Sequence, residues 1–446
     1  MLINGALTAH AARRSALLSA MTAQGGGIAL IPTAHEAARN RDSLYPYRHD
    51  SYFYYLTGFN EPEAVLVLIA AHSPSSSAKT VLFCREKNIE REIWDGYRHG
   101  PEGARSMFGF DEARPIGELA AALPQLLADQ PAIYTFVGSD GAWDKTMSDA
   151  LNGVRALVRT GVSAPSVVHD VRAIVDGQRL LKDEHEQDMM RQAGAISSLA
   201  HIRAMETTRP GQYEYQVEAE LLHEFVRSGA REQAYSAIVA SGPNACVLHY
   251  RENNRQMTDG DLLLIDAGCE YGSYASDITR TFPVNGKFTG PQKDVYELVL
   301  ESQQKCIDDV KPGRPFNAYH DTAVRVLAQG LFDLGLCKGS LDSVIESKAY
   351  FQFYMHRAGH WLGLDVHDAG DYRVGGSSGR WQTLQPGMVL TVEPGLYIRP
   401  AENVPEQFHN IGVRIEDDIL VTASGNENLT ARTPKSVADV EAACAR

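Results

Sequence analysis

The 446-residue sequence lacks three features, each of which would have assigned it to a class of protein. None of its six cysteines forms a C-x-x-C pair, which argues against a disulfide framework or a thiolate zinc site. No apolar run reaches the ~20 residues that a membrane span needs. An excess of basic charge is also absent, since the net charge is −14, which argues against a nucleic-acid or acidic membrane partner. We therefore expect a globular protein of the cytoplasm.

The first part of the chain alternates predicted helices and strands. Residues 1–21 carry arginines in their middle, so an amphipathic helix over 8–21 is expected rather than a signal peptide. A polar loop is expected at 73–78. Strands separated by helices indicate an α/β domain, which we place at residues 1–174. The predicted strands are 27–32, 52–57, 64–70, 80–84 and 132–136, and the further helices are 116–127 and 140–151.

The second part, residues 175–446, shows helix pairs followed by strand pairs, twice over. This order suggests an α+β domain built from two pseudo-symmetric halves, although the halves share no sequence identity. The predicted helices are 184–206, 213–229, 290–311 and 317–334. The predicted strands are 236–241, 247–250, 389–393 and 411–416, with a hairpin over 262–282.

Two aspartates in that hairpin give the first indication of chemistry. If the turn is centred on Tyr271 and Gly272, antiparallel pairing sets Asp266 opposite Asp277 on one face, with Cβ atoms roughly 4.5–5.5 Å apart. Two carboxylates in an apolar hairpin repel each other unless a cation or a shared proton lies between them. The alternative is that each aspartate is an edge residue with its charge in water.

The later sequence offers further polar groups of the same kind. His356 and His360 stand four apart in a glycine-containing stretch that favours a loop, and His367 follows shortly after. Glu393 ends an apolar strand before Pro394-Gly395, and 411–416 alternates with a period of two. Four carboxylates with one imidazole suit Mn²⁺ better than a thiolate-rich site would, although Co²⁺, Zn²⁺ or Fe²⁺ could bind. Four negative charges favour two ions about 3.5–4 Å apart.

These segments resemble the pita-bread metallopeptidases, and among them the aminopeptidase P group. The resemblance rests on D-A-G with a second aspartate eleven residues on, and on H-x-x-G-H-x-L-G-L-D-V-H-D, L-T-V-E-P-G-L-Y and G-V-R-I-E-D-D. Residues 39–48 and 55–59 resemble the N-terminal domain of that group. The motifs appear in the order of the family and span nearly the whole chain.

The resemblance implies roles for individual residues. The implied metal ligands are Asp266, Asp277, His360, Glu393 and Glu416. The implied substrate-side histidines are His249, His356 and His367, and Arg414 is implied beside the metals. Trp94 and Tyr397 are implied in substrate binding, Trp94 as a residue that a neighbouring subunit lends, which predicts a homo-oligomer, a dimer or tetramer.

The implied activity is release of the first residue from peptides with proline in second position, by attack of a hydroxide shared by two divalent ions, most simply Mn²⁺. Glu393 would take the proton of the water and return it to the leaving nitrogen, while His249 or His367 would donate to the developing oxyanion. A prolidase restricted to Xaa-Pro dipeptides remains open, as does a metal-free creatinase-like hydrolase or binding scaffold.

A serine hydrolase is a separate possibility, because Gly375 to Gly379 satisfies G-x-S-x-G. A nucleophile elbow needs a strand before the serine and a helix after it. The residues from Arg380 to Pro386 show no helical pattern, so we expect a loop there instead.

Overall fold

The computed structural model describes residues 2–71 and 77–445 and divides the chain into two compact units, Met1–Arg179 and Leu180–Arg446. The domain boundary predicted after residue 174 falls inside the helix Arg172–Leu180 and stays a prediction. Of the loop predicted at 73–78, only Ser77 and Ala78 are among the described residues, and both are exposed. In the described part of the chain, no helix combines the length and the apolar character needed to cross a membrane.

The first unit is built on one six-stranded mixed sheet with the order β4-β3-β2-β1-β5-β6. Strands β1 and β2 pair antiparallel in its centre and are buried along nearly their whole length, because both are runs of aliphatic residues. This unit is the predicted α/β domain. Its strands are β1 Gly27–Pro32, β2 Val65–Ala70, β3 Lys79–Cys84, β4 Glu112–Pro115, β5 Ala132–Thr135 and β6 Val167–Asp170.

The strand predicted at 52–57 is wrong, because this segment is a helix. Its aromatic residues favour a strand by propensity, but both ends carry helix signals. The Asp50 carboxylate accepts a hydrogen bond from the Phe53 N–H at 2.9 Å, and Gly58 ends the helix with φ +65°. The helices of this unit are α1 Leu2–Ala23, α2 Ser51–Thr57, α3 Ile89–Asp95, α4 Gly100–Phe108, α5 Leu119–Leu127, α6 Gly141–Ala156 and α7 Arg172–Leu180.

The second unit contains two packed helix pairs, α8 with α9 and α10 with α11, and several small antiparallel sheets. The helices are α8 Glu184–Thr207, α9 Glu214–Arg227, α10 Gly290–Asp309, α11 Ala318–Asp333, α12 Leu341–Glu346 and α13 Val437–Cys444. The strands are β7 Glu232–Gln233, β8 Ile238–Ser241, β9 Leu262–Asp266, β10 Cys269–Tyr271, β11 Tyr274–Ala275, β12 Thr279–Pro283, β13 Arg373–Val374, β14 Arg380–Trp381, β15 Val389–Val392, β16 Gly395–Ile398, β17 Ile411–Arg414, β18 Asp417–Val421 and β19 Asn426–Asn428.

Two strand predictions in this unit need correction. Residues 247–250 form no strand and instead follow the short 3₁₀ helix Gly242–Cys246. The strand predicted at 411–416 is two strands, since β17 pairs with β16 and β18 pairs with β15. Glu416 lies at the break between β17 and β18, and Glu393 lies at the matching break between β15 and β16. Both glutamates are therefore placed where the chain passes from one small sheet to another.

The predicted pairing of Asp266 with Asp277 is also wrong. Asp266 is opposite Thr279 in the ladder between β9 and β12, and the turn is made by the small hairpin of β10 and β11. The chain crosses itself closely here, because a Cβ atom on Gly268 would lie 1.8 Å from the carbonyl oxygen of Ser276. Both ladders keep the same register, so the turn is centred on Gly272 and Ser273, one residue later than predicted, which leaves Asp277 just before β12.

Candidate metal centre and active site

A cavity of about 660 Å³ in the second unit gathers most of the residues that the sequence singled out. Its walls are formed by loops and strand ends from β8 through β18. The five predicted metal ligands all line it, as do four of the other predicted site residues: Asp266, Asp277, His360, Glu393, Glu416, His249, His356, His367 and Arg414. The structure brings these residues together around one cavity, while their individual roles stay predictions.

Tyr235 joins the two aspartates, although no sequence pattern predicts a role for it. Its hydroxyl lies 2.6 Å from Asp266 Oδ1 and makes a short hydrogen bond to Asp277 Oδ1. Burial, followed by the charges of both aspartates, raises the pKa of Tyr235 well above its usual value, so the hydroxyl keeps its proton. The segment Gln233-Ala234-Tyr235-Ser236 carries no motif, and only the fold reveals this residue.

The His360 side chain is oriented to offer a lone pair to the cavity. Its Nδ1 lies 2.9 Å from the Trp361 carbonyl oxygen, which requires a proton on Nδ1. Its Nε2 then faces Asp277 Oδ2 at 3.4 Å and Glu393 Oε1 at 3.8 Å. An imidazole held in this tautomer by a backbone carbonyl is the arrangement found in metal-binding histidines.

The carboxylates are crowded and buried. Burial, followed by the negative charge of Asp266, raises the pKa of Asp277 well above its usual value. Burial and the neighbouring aspartates likewise raise the pKa of Glu416, while the Thr279 hydroxyl donates to Glu416 Oε2 at 2.5 Å. Burial and the charge of Glu416 raise the pKa of Glu393 to about 8. As buried anions these groups are unfavourable unless a cation joins them.

The donor set fits divalent cations. Ligand atoms of Asp277, His360 and Glu416 all lie within 4.8 Å of one another, and Glu393 is adjacent through His360. Arg414 supplies one positive charge, through Nη2 at 2.6 Å from Asp266 Oδ2, against four carboxylates. Carboxylate oxygens with one imidazole nitrogen are hard ligands suited to first-row divalent ions. The prediction of a divalent-metal site is therefore supported by charge as well as by geometry.

A chain of hydrogen bonds connects Arg414 to His356 through Tyr397. The Tyr397 hydroxyl accepts from Arg414 Nη1 at 2.9 Å and lies 2.9 Å from His356 Nε2. His356 Nδ1 lies 2.7 Å from the Arg357 carbonyl oxygen, so its proton is on Nδ1 and Nε2 accepts the tyrosine proton. Burial, followed by the charge of Arg414, lowers the pKa of His356 to about 3, which keeps the ring neutral.

Buried ion pairs and hydrogen bonds hold the loops that carry the other two histidines. Glu214 is fully buried and accepts hydrogen bonds from Ser241, Asn244 and the Tyr250 hydroxyl, which anchors the loop of His249. Lys182 Nζ lies 2.9 Å from Asp368 Oδ2 with both side chains buried, which anchors the loop of His367. The ring centroids of His367 and His360 are 4.2 Å apart.

Two predicted site residues do not line the cavity. Tyr397 is buried beneath it and contacts Arg414 and His356, as described above. Trp94 lies in the first unit on α3, with 83% of its surface exposed. The structure therefore places Tyr397 where it supports the cavity wall, and shows Trp94 on an outer surface.

The G-x-S-x-G segment does not form a nucleophile elbow. Ser377 and Ser378 are exposed in a turn between the two-residue strands β13 and β14, and no helix follows. A catalytic serine needs a base within hydrogen-bond reach, and neither hydroxyl makes such a bond in the described part of the chain. The expectation of a loop is confirmed.

Residues 188–423 match metallopeptidase family M24, and residues 10–134 match the aminopeptidase P N-terminal domain. The first match alone covers more than half of the sequence. The chain belongs to metallopeptidase family M24, which confirms both the family resemblance and the fold expected from it, an N-terminal α/β domain followed by a pita-bread domain.

Several bacterial relatives are similar to this chain over almost their whole length. The chain is 48% identical over 430 residues to the Xaa-Pro aminopeptidase of Escherichia coli K12, covering 96% of both proteins. It is 48% identical to the Xaa-Pro aminopeptidase of Haemophilus influenzae, covering 91% of this chain and 90% of that protein. Among solved structures, a Pseudomonas aeruginosa aminopeptidase is 49% identical with a TM-score of 0.95, and zinc-substituted E. coli aminopeptidase P with product is 47% identical with a TM-score of 0.94. Each covers 98% of both chains.

Proposed function

We propose that this chain is a metal-dependent Xaa-Pro aminopeptidase that releases the first residue of peptides with proline in second position. The observation that carries the proposal is the convergence of four carboxylates, two of them buried and two partly buried, and one oriented imidazole on a single cavity of the M24 domain. The relatives named Xaa-Pro aminopeptidase match this chain along both of its units, which supports the same specificity.

Asp266, Asp277, His360, Glu393 and Glu416 would hold two divalent ions, and the hard oxygen-rich donor set favours Mn²⁺. Bound there, such ions lower the pKa of a water and polarise a carbonyl oxygen. Arg414 and the Tyr235 hydroxyl each make a hydrogen bond of 2.6 Å to Asp266. The Tyr235 hydroxyl also bonds to Asp277, so it helps to position both aspartates. These hydrogen bonds support the positions of the proposed ligands.

The remaining cavity residues suit proton transfer and carbonyl binding. Glu393 Oε2 lies 3.8 Å from His356 Nδ1 and faces the cavity, where it takes a proton from the attacking water and returns it to the leaving nitrogen. His249 and His367 line the same cavity, and either imidazole can donate to the oxygen on which charge develops. Burial and the nearby His360 lower the pKa of His367, so its ring is neutral and donates through one nitrogen.

The leaving nitrogen of a Xaa-Pro bond belongs to a tertiary amide and has no N–H to donate. A site that accepts it must recognise the ring by shape. Ile238, Leu248 and Val366 line the cavity and give it apolar walls for such a ring. These side chains, rather than a backbone acceptor, support the choice of proline.

The first experiment is hydrolysis of a Xaa-Pro-Xaa tripeptide before chelation, after chelation and after Mn²⁺ is restored. We expect release of the first residue that chelation abolishes and Mn²⁺ recovers. Ser377→Ala is the matched control and should retain full activity, because Ser377 lies in an exposed turn. Failure of every form to cleave would favour a metal-free scaffold.

A prolidase is the second candidate, since a dipeptidase would use the same ligands. The comparison of a Xaa-Pro dipeptide with a longer Xaa-Pro peptide separates the two activities. We expect the longer peptide to be cleaved at least as well. A strong preference for the dipeptide would reassign the chain as a prolidase.

We also propose a homo-oligomer, a dimer or tetramer, in the cytoplasm. Helix α3 and the two residues after it expose Ile89, Ile93, Trp94 and Tyr97, each by at least 76%, which is unusual for large apolar side chains. All six cysteines are free thiols, in keeping with a reducing compartment. Light scattering of the wild type and of Trp94→Ser tests the assembly, and a monomeric wild type would exclude it.

A further inference from the structure

The cavity of the second unit is electrostatically graded from its interior to its opening. The carboxylates of Asp277, Glu393 and Glu416 are at least four-fifths buried at the inner end. Arg251 and Arg357 line the same cavity but are exposed to solvent, so they lie at its outer end. The net charge of the chain is −14, so two arginines at one opening make the local charge there positive.

Arg357 is held in a defined position at this opening. Its guanidinium donates a short hydrogen bond to Asn317 Oδ1 and stacks on Trp381, with its central carbon 4.8 Å from the ring centroid. Arg373 lies 3.7 Å from the same centroid and donates from Nη1 to the Gly379 carbonyl oxygen at 2.7 Å. The hairpin of β13 and β14 thus positions the indole of Trp381, and this indole in turn holds the guanidinium of Arg357 by a cation–π contact.

Arg251 supplies a second cation with fewer constraints. In the described ranges of the chain, no group accepts a hydrogen bond from its guanidinium, and it lies in the loop that also carries His249. A guanidinium is planar and presents paired N–H donors that match a carboxylate. One fixed and one free arginine at an opening can therefore bind an anion that arrives from solvent.

We propose that Arg357 and Arg251 form a carboxylate subsite at the outer end of the cavity, which binds the peptide beyond the scissile bond. The inference rests on the proposed aminopeptidase function. A peptide enters with its ammonium end toward the acidic interior, so its downstream residues point toward the arginines. The carboxylate recognised is either an acidic side chain just after proline or the free C-terminus of a short peptide.

The test compares kcat/KM for tripeptides of the form Xaa-Pro-Glu and Xaa-Pro-Gln, each with a free and with an amidated C-terminus. In the wild type we expect about fivefold higher kcat/KM for each carboxylate that the subsite accepts, the scale of a partly exposed ion pair. The difference between free and amidated peptides identifies the C-terminus as the ligand, and that between Glu and Gln identifies the side chain. High salt should shrink both differences.

Arg357→Gln should abolish the carboxylate preference while leaving cleavage of the amidated Gln peptide within about twofold. Arg380→Gln is the matched control, because Arg380 is exposed on the same hairpin but does not line the cavity. Equal cleavage of all four peptides by the wild type, or an equal loss of preference in both variants, would overturn the subsite and leave the aminopeptidase function standing. Cleavage of none would overturn both proposals.

Discussion

Glu416 and Asp417 are neighbours in the chain and are both buried, yet they meet opposite electrostatic surroundings. Asp417 lies 2.6 Å from Arg280 Nη2 and 2.6 Å from Lys435 Nζ. Burial alone would raise the pKa of Asp417, but Arg280 and Lys435 lower it well below its usual range. Glu416 faces Asp277 and Asp266 instead, and burial with these charges raises the pKa of Glu416.

The contrast separates two kinds of buried carboxylate. The protein itself supplies cations to Asp417, so this residue stabilises the fold by pairing with Arg280 and Lys435. Among the described residues, the guanidinium that pairs with the carboxylates on the cavity side is that of Arg414, which contacts Asp266. A buried cluster that the protein leaves short of positive charge is one that an external cation can complete.

The largest expected effect comes from removing a carboxylate on the cavity side. Asp277→Asn should lower kcat/KM by about 10⁴-fold, or about 5.5 kcal/mol in transition-state stabilisation, since the ligand set is incomplete. Metal content, measured by elemental analysis, should fall by at least one ion while circular dichroism stays unchanged. Asp308→Asn, on the exposed face of α10, is the control. Full activity in Asp277→Asn would refute the assignment of Asp277 as a metal ligand.

Removing the carboxylate of Asp417 should destabilise the folded protein rather than abolish its activity. Asp417→Asn leaves Arg280, whose side chain is 0% exposed, without its anionic partner. We expect a loss of about 3–5 kcal/mol in the free energy of unfolding, measured by urea denaturation of the metal-free protein. In the same assay Asp277→Asn should be neutral or stabilising, because it relieves repulsion. Similar losses in both variants would erase the distinction.

His201 lies between the two groups of carboxylates and predicts a pH dependence of stability. Burial, which outweighs its hydrogen bond to the Ala267 carbonyl oxygen, lowers the pKa of His201 to about 4. The unfolded chain takes up a proton at this residue below about pH 6.5 and the folded chain does not. Stability should therefore fall as the pH drops from about 6.5 to about 4, by on the order of 3 kcal/mol.

The variant His201→Gln should flatten that part of the stability profile, and His223→Gln, an exposed histidine on α9, should leave it unchanged. Urea denaturation at a series of pH values measures both. An identical slope in wild type and His201→Gln would assign the acid sensitivity to other groups.

Loss of one metal ion gives the smallest expected effect on stability. An ion present at 100 times its dissociation constant stabilises the folded state by about 2.7 kcal/mol, so chelation should lower the unfolding free energy by about that amount for each ion removed. Asp277→Asn should lose this metal-dependent increment and Asp417→Asn should keep it. Thermal unfolding with and without Mn²⁺ measures the increment, and its presence in Asp277→Asn would contradict the proposed site.

Much of the fold was predictable because local signals agree with it. The strand 27–32 and the two helix pairs of the second unit appear close to their predicted bounds, since their apolar patterns are long and regular. The helix α2 was missed because aromatic residues favour strands, whereas its two ends, Asp50 and Gly58, decide the outcome.

The candidate site was predictable as a set of residues but not as a geometry. Asp277 is not opposite Asp266 because the turn is centred one residue later than predicted. The break at Glu416 follows from β17 and β18 pairing with different strands, which depends on segments far apart in sequence. Tyr235 belongs to no motif, so its bridge between the aspartates could be seen only in three dimensions.

The separation of these groups along the chain also sets an order of events during synthesis. Asp266 and Asp277 are translated first, and Glu416 follows 139 residues after Asp277 (416 − 277). At about 5–20 residues per second, the ribosome needs roughly 7–28 s to cover that interval. A nascent chain that ends before residue 416 therefore cannot present the full cavity, and the ion that fills it is chosen from those free in the surroundings once translation has passed that residue.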